Sequence, residues 1–166
     1  MSGRIAVYGG AFDPFHLGHL VPTVRAQETF HFDAVYFVPS GNSPHRKGER
    51  LTPVTHRLAM VAMATLTHER FFAADDEVFA TGYTYTVETV RRYRERFPDS
   101  LLYFLLGSDS FSQIGTWERW RELVALVHLV VLHREELLDD LLATLVEFEV
   151  ADPVVVESRS GLELLE

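Results

Sequence analysis

The sequence predicts an α/β domain built on a doubly wound parallel sheet, and three observations carry that expectation. Short, unbroken apolar runs alternate with stretches of helical spacing along the chain. Strands without polar alternation are buried on both faces, as parallel strands joined by helical crossovers are. Three of the runs end on residues suited to ligand contact, namely Gly9-Gly10, Pro39-Ser40 and Gly107-Ser108-Asp109. In open sheets of this kind ligands bind beyond the carboxyl ends of the strands. A length of 166 residues with 47% hydrophobic and 23% charged side chains suits one core, so residues 1–166 are expected to form one domain.

Ile5–Gly9 reads as a buried strand that runs through a Gly/Pro/His loop into a helix from about Gly18 to Thr29. Ala34–Pro39 is a second strand, followed by a polar loop from Ser40 to Pro53. Val54–Leu66 has helical spacing at Leu58, Val61, Ala62 and Leu66, and Phe71–Ala74 is a short strand. Val87–Phe97 reads as an amphipathic helix with an arginine-rich outer face, and Leu101–Leu106 is an apolar strand stopped by Gly107. Trp117–Val127 is a further helix, with Trp117, Trp120 and Val124 on one face. His128–Leu132 is a strand, Leu137–Leu145 a helix and Val154–Val156 a last strand.

The absence of cysteine excludes disulfide scaffolds, thiolate metal sites, iron–sulfur clusters and Cys nucleophiles. The formal net charge is −9, and residues 134–166 account for −8 of it, with ten acids against two bases. Long-range attraction to nucleic acid is therefore not expected, and a phosphate ligand must be held by local groups. Lys47 is the one lysine among fourteen arginines. Ile5–Tyr8 is a four-residue apolar run that meets Gly-Gly at once, so no secretory leader is expected. No apolar stretch nears the ~20 residues a membrane span needs, and a cytoplasmic protein without membrane partners is expected.

The richest stretch is Gly9-Gly10-Ala11-Phe12-Asp13-Pro14-Phe15-His16-Leu17-Gly18-His19-Leu20, which follows a buried strand and opens a helix. The glycines let the backbone turn tightly and approach a ligand. Helix-start N–H groups make an anion site. His16 and His19, three apart, can both face that anion from the first turn. Gly18 keeps a side chain from crowding a nucleotide. Two other readings stay open: a plain turn, and a metal site with Asp13 that would still want a fourth ligand.

This stretch resembles the H-x-G-H strand–loop–helix signature of the nucleotidyltransferase superfamily. More narrowly, GGAFDPFHLGHL is similar to the nicotinate-nucleotide adenylyltransferase pattern G-G-[TS]-F-D-P-[IVP]-H-x-G-H, with Ala11 in place of Thr or Ser. Pro44-His45-Arg46-Lys47 resembles that family's P-P-H-[KR] segment, and Thr84-Tyr85-Thr86-Val87-Glu88-Thr89 its S-Y-T-x-[DE]-T. Gly107-Ser108-Asp109 followed by Trp117 resembles its G-x-D and later tryptophan. By residue type alone, Thr86 can cap the following helix, and Trp117 serves core packing as readily as ring stacking. Arg57 and Arg134 also match family positions, although Glu135-Glu136 stand where the family has Pro-Gly.

The resemblance implies a Rossmann-like nucleotidyltransferase fold and adenylyl transfer from ATP to nicotinate mononucleotide, giving deamido-NAD and pyrophosphate. It implies His16 and His19 as the catalytic pair. ATP contacts fall to Gly9, Gly10, Ala11, Phe12, His16, Gly18, His19, Arg46, Lys47, Gly107, Asp109 and Arg134. Acceptor contacts fall to Gly10, His45, Tyr85, Thr86 and Trp117. Mg²⁺ would come with the ATP phosphates rather than in a protein cage. A relative using nicotinamide mononucleotide or phosphopantetheine, or a nucleotide-binding module with little turnover, fits the H-x-G-H loop as well. The matches run from about residue 5 to 134. The family's late I-S-[SA]-T-x-[IL]-R segment has no counterpart in residues 154–166, so a truncated or divergent C-terminal part and weak ATP binding are expected.

Overall fold

Seven strands and five helices form the described part of the computed structural model, which covers residues 3–132 and the backbone of two further strands at 155–158 and 161–164. The strands are β1 (Arg4–Gly10), β2 (Ala34–Pro39), β3 (Phe71–Ala73), β4 (Leu101–Gly107), β5 (His128–Leu132), β6 (Val155–Ser158) and β7 (Gly161–Leu164). The helices are α1 (Leu17–Phe30), α2 (Val54–Thr65), α3 (Thr86–Arg96), α4 (Ser108–Phe111) and α5 (Trp120–Leu126). One sheet runs in the order β3-β2-β1-β4-β5-β6-β7. Pairing is parallel from β3 through β6, and β7 closes the edge antiparallel to β6.

The strand order reverses at β1. The chain first winds outward through β2 and β3, then returns to place β4 on the other side of β1. A crevice opens where connections leave in opposite directions, at the carboxyl ends of β1 and β4. Gly9-Gly10 and Gly107 stand there.

Alternate residues of the central strands feed two separate apolar layers. Ile5 and Val7 of β1, with Leu102, Phe104 and Leu106 of β4, pack with Val87, Val90 and Tyr93 of α3 and Leu123 of α5. Ala6 and Tyr8, with Leu105 of β4 and Val35 and Phe37 of β2, pack with Ala26 of α1 and Val61 of α2. Successive strand side chains point to opposite faces. Strands covered on both faces must therefore be apolar at every position, as these runs are.

Several elements depart from the sequence expectation. The helix expected at Trp117–Val127 begins only at Trp120, as α5; Trp117 is extended and follows a 3₁₀ turn at Ile114–Thr116. Arg119 takes a left-handed backbone, φ 50° and ψ 42°, which no helix can propagate through. Its guanidinium reaches Glu88 on α3. Trp117 thus leaves the helical face it was expected to share with Trp120 and Val124. Thr86 is the first residue of α3 rather than its cap; Tyr85 holds the cap position and makes no side-chain capping bond. The one-turn α4 and the strand β7 carry no periodicity signal and were not expected. The helix expected at Leu137–Leu145 lies outside the described residues, as does Arg134.

Candidate functional site

The loop after β1 is built around one aromatic and one buried cation. Phe12 has a left-handed backbone, φ 50°. Its side chain is 2% exposed, so it belongs to the core and leaves only its backbone for a ligand. A Cβ on Gly10 would stand 2.9 Å from the Phe12 ring, which is why glycine is needed there. The Phe12 ring makes edge contacts with Tyr8, Phe15 and His19, and Phe15 stacks on His19 at 5.4 Å and 20°. An aromatic wall therefore sets the plane of the His19 imidazole.

His16 and His19 close the start of α1 on each other. The His16 Nδ1 accepts the Gly18 N–H at 3.1 Å, and the His19 Nδ1 accepts the His16 N–H at 3.3 Å. Both form a reciprocal cap, with the ring centroids 3.9 Å apart. An imidazole that accepts at Nδ1 carries its proton on Nε2. The Gly18 N–H is thus committed to His16 instead of being offered to an anion. The Nε2 edge of each ring faces away from this cap; His16 is exposed and His19 half-buried.

Arg57 of α2 is 2% exposed and ties the surrounding loops together. It donates from Nε to Thr52 O at 2.8 Å, from Nη1 to Ala11 O at 2.5 Å and from Nη2 to Ser40 O at 2.8 Å. Burial pushes its pKa down, and the nearby Asp13 carboxylate works against that; a guanidinium stays charged regardless. Asp13 accepts the Thr52 N–H at 2.8 Å, so this side chain fastens a loop. Hydrogen bonding from Thr52, through its side chain and its backbone, holds the Asp13 pKa below its ordinary 3.8.

A cleft of about 350 Å³ opens at the strand crossover, within the range of small-ligand sites. Gly9, Gly10 and Ala11 form one wall, and Asp109 at the start of α4 stands beside them. His45, Arg46, Thr86 and Trp117 line the cleft as well. The His45 and Trp117 rings lie 5.9 Å apart, and Trp117 meets Phe104 edge-on at 6.3 Å. Trp117 is half-buried, packed on the core along one side and open to the cleft along the other. Tyr85 lines an adjoining recess with Pro44, Thr86, Trp117 and Glu118.

Of the predicted site residues, the structure gathers Gly9, Gly10, Ala11, His45, Arg46, Asp109, Thr86 and Trp117 into this wall, with Tyr85 beside it. Phe12, His16, Gly18, His19, Lys47 and Gly107 are not part of it. Gly107 acts indirectly, since a Cβ there would meet Asp109 Oδ1 at 2.5 Å. Lys47 follows the 3₁₀ turn Pro44–Arg46 and is exposed. Arg46 pairs with Glu49 at 3.0 Å; both are about half exposed, so the pair is weak.

Glu77, Glu49 and Gln113 also line the cleft and were missed by sequence reasoning. Glu77 sits in the run Asp75-Asp76-Glu77, which reads as a solvated loop. Its burial to 7% exposure comes from packing that no local pattern announces. Among the described residues no group of three His, Cys, Asp or Glu side chains could hold a metal ion. No helix there is long and apolar enough to cross a membrane.

Residues 7–158 match the Cytidylyltransferase-like family. The chain belongs to that family. Among curated relatives, a "Probable nicotinate-nucleotide adenylyltransferase" from Desulfitobacterium hafniense strain Y51 is 39% identical over 127 residues, covering 76% of this chain and 61% of the relative. One of the same description from Leifsonia xyli subsp. xyli is 41% identical over 131 residues, covering 79% of this chain and 64% of the relative. This member of the cytidylyltransferase-like family thus spans about three fifths of the length of the curated relatives it matches. Its fold is that of Plasmodium falciparum nicotinic acid mononucleotide adenylyltransferase complexed with NaAD, with a TM-score of 0.72 at 22% identity over 86% of this chain and 71% of that one.

Two outcomes follow from the Arg57 and Asp13 geometry. Arg57→Met keeps much of the volume but leaves the carbonyls of Ala11, Ser40 and Thr52 without their donor. Unmet buried acceptors cost about 1–3 kcal/mol each, so urea unfolding should show a loss of about 3 kcal/mol or more. The Asp13 contact should persist as pH falls through the ordinary aspartate range. A group whose folded pKa is depressed keeps its stabilising contact until pH falls through that lower value. The Thr52 amide resonance should therefore titrate with a midpoint below 3.8, and a midpoint above it would remove Asp13 as the acceptor.

Proposed function

We propose that this chain transfers the adenylyl group of ATP to nicotinate mononucleotide, giving deamido-NAD and pyrophosphate. The observation that carries the reading is the cleft at the strand crossover. Gly9, Gly10 and Ala11, which carry little or no side chain, line it together with Trp117, His45 and Thr86, and the same loop leads into a helix start where His16 and His19 cap each other through Nδ1. The names of the curated relatives support the same reading.

A phosphate oxygen of nicotinate mononucleotide attacks the α-phosphorus of ATP. The new P–O bond forms as the bond from the α-phosphorus to the bridging oxygen breaks, and the electron pair leaves with pyrophosphate. The attacking phosphate is already ionised near neutral pH, so no general base has to remove a proton. The chain's work is alignment and neutralisation of charge on the group in flight. His16 and His19 would donate from Nε2 to the α- and β-phosphates. Arg46, released from Glu49, and Lys47 would hold the departing pyrophosphate. Asp109 would accept from ribose hydroxyls, and the exposed side of the Trp117 indole would stack on the pyridine ring.

Mg²⁺ fits this site as an ion carried by the nucleotide. The Glu77 carboxylate is engaged by Gly41 and Thr89, and Mg²⁺ prefers phosphate oxygens and water, so it would be held mainly through the nucleotide. When bound it would offset negative charge on those phosphates.

His19→Ala should lower kcat by about two to three powers of ten, the scale for removing one preorganised donor to the transition state. Circular dichroism should stay native, since the lost helix cap is worth only about 1 kcal/mol. Turnover near that of the parent chain would defeat the assignment. Trp117→Ala should weaken nicotinate mononucleotide by about 1–3 kcal/mol, the scale of base–aromatic stacking, and ATP by much less. Titration calorimetry with each nucleotide separates that outcome from general unfolding, which would weaken both alike.

A further inference from the structure

Glu77 lies between β3 and α3 and is 7% exposed, yet its carboxylate is fully engaged. Oε2 accepts the Gly41 N–H at 3.0 Å, and Oε1 accepts the Thr89 hydroxyl at 2.6 Å. The Thr89 oxygen also accepts from Arg92 Nη2 at 2.9 Å, so its own proton is directed at Glu77. The approach is close: a Cβ on Gly41 would stand 2.6 Å from the Glu77 carbonyl oxygen. The neighbouring peptide groups are held just as firmly. The Ser40 N–H donates to Gly10 O at 2.8 Å, its carbonyl accepts from Arg57 at 2.8 Å, and Asn42 O accepts the Thr84 N–H at 2.9 Å. Immediately after Asn42 come Ser43, His45 and Arg46, which line the cleft.

We infer that Glu77 is a positioning residue for the cleft, fastening the loop that carries His45 and Arg46 to α3 through Gly41 and Thr89. Two acceptors are needed at once, one for a peptide N–H and one for a hydroxyl. A carboxylate meets both without competition between its own donors and acceptors. An amide can still serve Gly41 with its oxygen. An alanine leaves a buried N–H unpaired and lets the loop drift from Trp117. Glu77 touches no reacting atom in this account and acts through the loop. Its kinetic consequence rests on the adenylyl-transfer reading; its structural consequence does not.

The test compares Glu77→Ala and Glu77→Gln with the parent chain by steady-state kinetics and by amide hydrogen exchange. In Glu77→Ala the KM for nicotinate mononucleotide and for ATP should rise about tenfold while kcat stays within about threefold, the signature of lost binding geometry rather than lost chemistry. Glu77→Gln should bring KM back to within about threefold of the parent. The Gly41, Arg46 and Thr84 amides should exchange at least about tenfold faster in Glu77→Ala, with the amides of Val7 and Leu105 unchanged, as expected for local opening. A loss confined to kcat with a lowered unfolding midpoint and unchanged KM would mark a merely structural residue and overturn the inference. Unchanged exchange at Gly41 and Arg46 would overturn it as well. If the parent chain transfers no adenylyl group to this acceptor, the functional reading fails by itself, and the exchange rates alone decide whether Glu77 holds the loop.

Discussion

The loops at the carboxyl ends of β1 and β2 must leave the sheet, turn and still satisfy buried carbonyls, and the Arg57 guanidinium meets that constraint. Its planar fork reaches Thr52, Ala11 and Ser40 from one position on α2. A lysine, with one ammonium on a flexible stem, could not address three diverging acceptors from a buried site. Ala11 and Ser40 follow the ends of neighbouring strands, and both line the cleft. Ordering in one loop is thereby ordering in the other. Asp13 supplies a nearby negative charge, its carboxylate held by the side chain and backbone of Thr52. Glu77, an acceptor where Arg57 is a donor, takes the N–H of Gly41, the residue after Ser40.

The chemistry of the helix start follows from the same economy of groups. A helix N-terminus with unpaired N–H groups would itself attract phosphate. Here His16 takes the Gly18 N–H and His19 takes that of His16. The donors are transferred outward, from backbone N–H groups to imidazole Nε2–H groups that extend further and can adjust. Aromatic neighbours limit that adjustment for His19, while His16 has more room.

Local pattern reveals most of the sheet because burial on both faces demands unbroken apolar runs. Ile5–Gly9, Ala34–Pro39, Leu101–Leu106 and His128–Leu132 all lie within observed strands. Pattern fails where one residue's backbone overrides its neighbours' propensity. Arg119 in a left-handed conformation cuts the helix expected from Trp117 and turns the indole toward the cleft instead of leaving it on a helical face. Pattern also fails for polar residues whose partners lie far along the chain. Glu77 meets Gly41 across 36 positions, and Arg57 meets Ala11 across 46, so neither bond has a local signature.

The sequence by itself determined the class of fold and the position of the crossover glycines, and its resemblance to a known family picked out candidate site residues from His16 to Trp117. The first two follow from short-range rules, apolar spacing and glycine at tight approaches; His45, Tyr85, Thr86 and Trp117 stand out only through the family motifs they match. Tertiary structure alone decided which of those residues share a wall. It moved Phe12 into the core, stationed His16 and His19 at the helix start rather than in the cavity wall, and brought His45 within reach of Trp117. The physical reason is that a cleft is bounded by segments distant in sequence. Their distances are set by buried charges such as Arg57 and Glu77, whose partners are known only once the chain has folded.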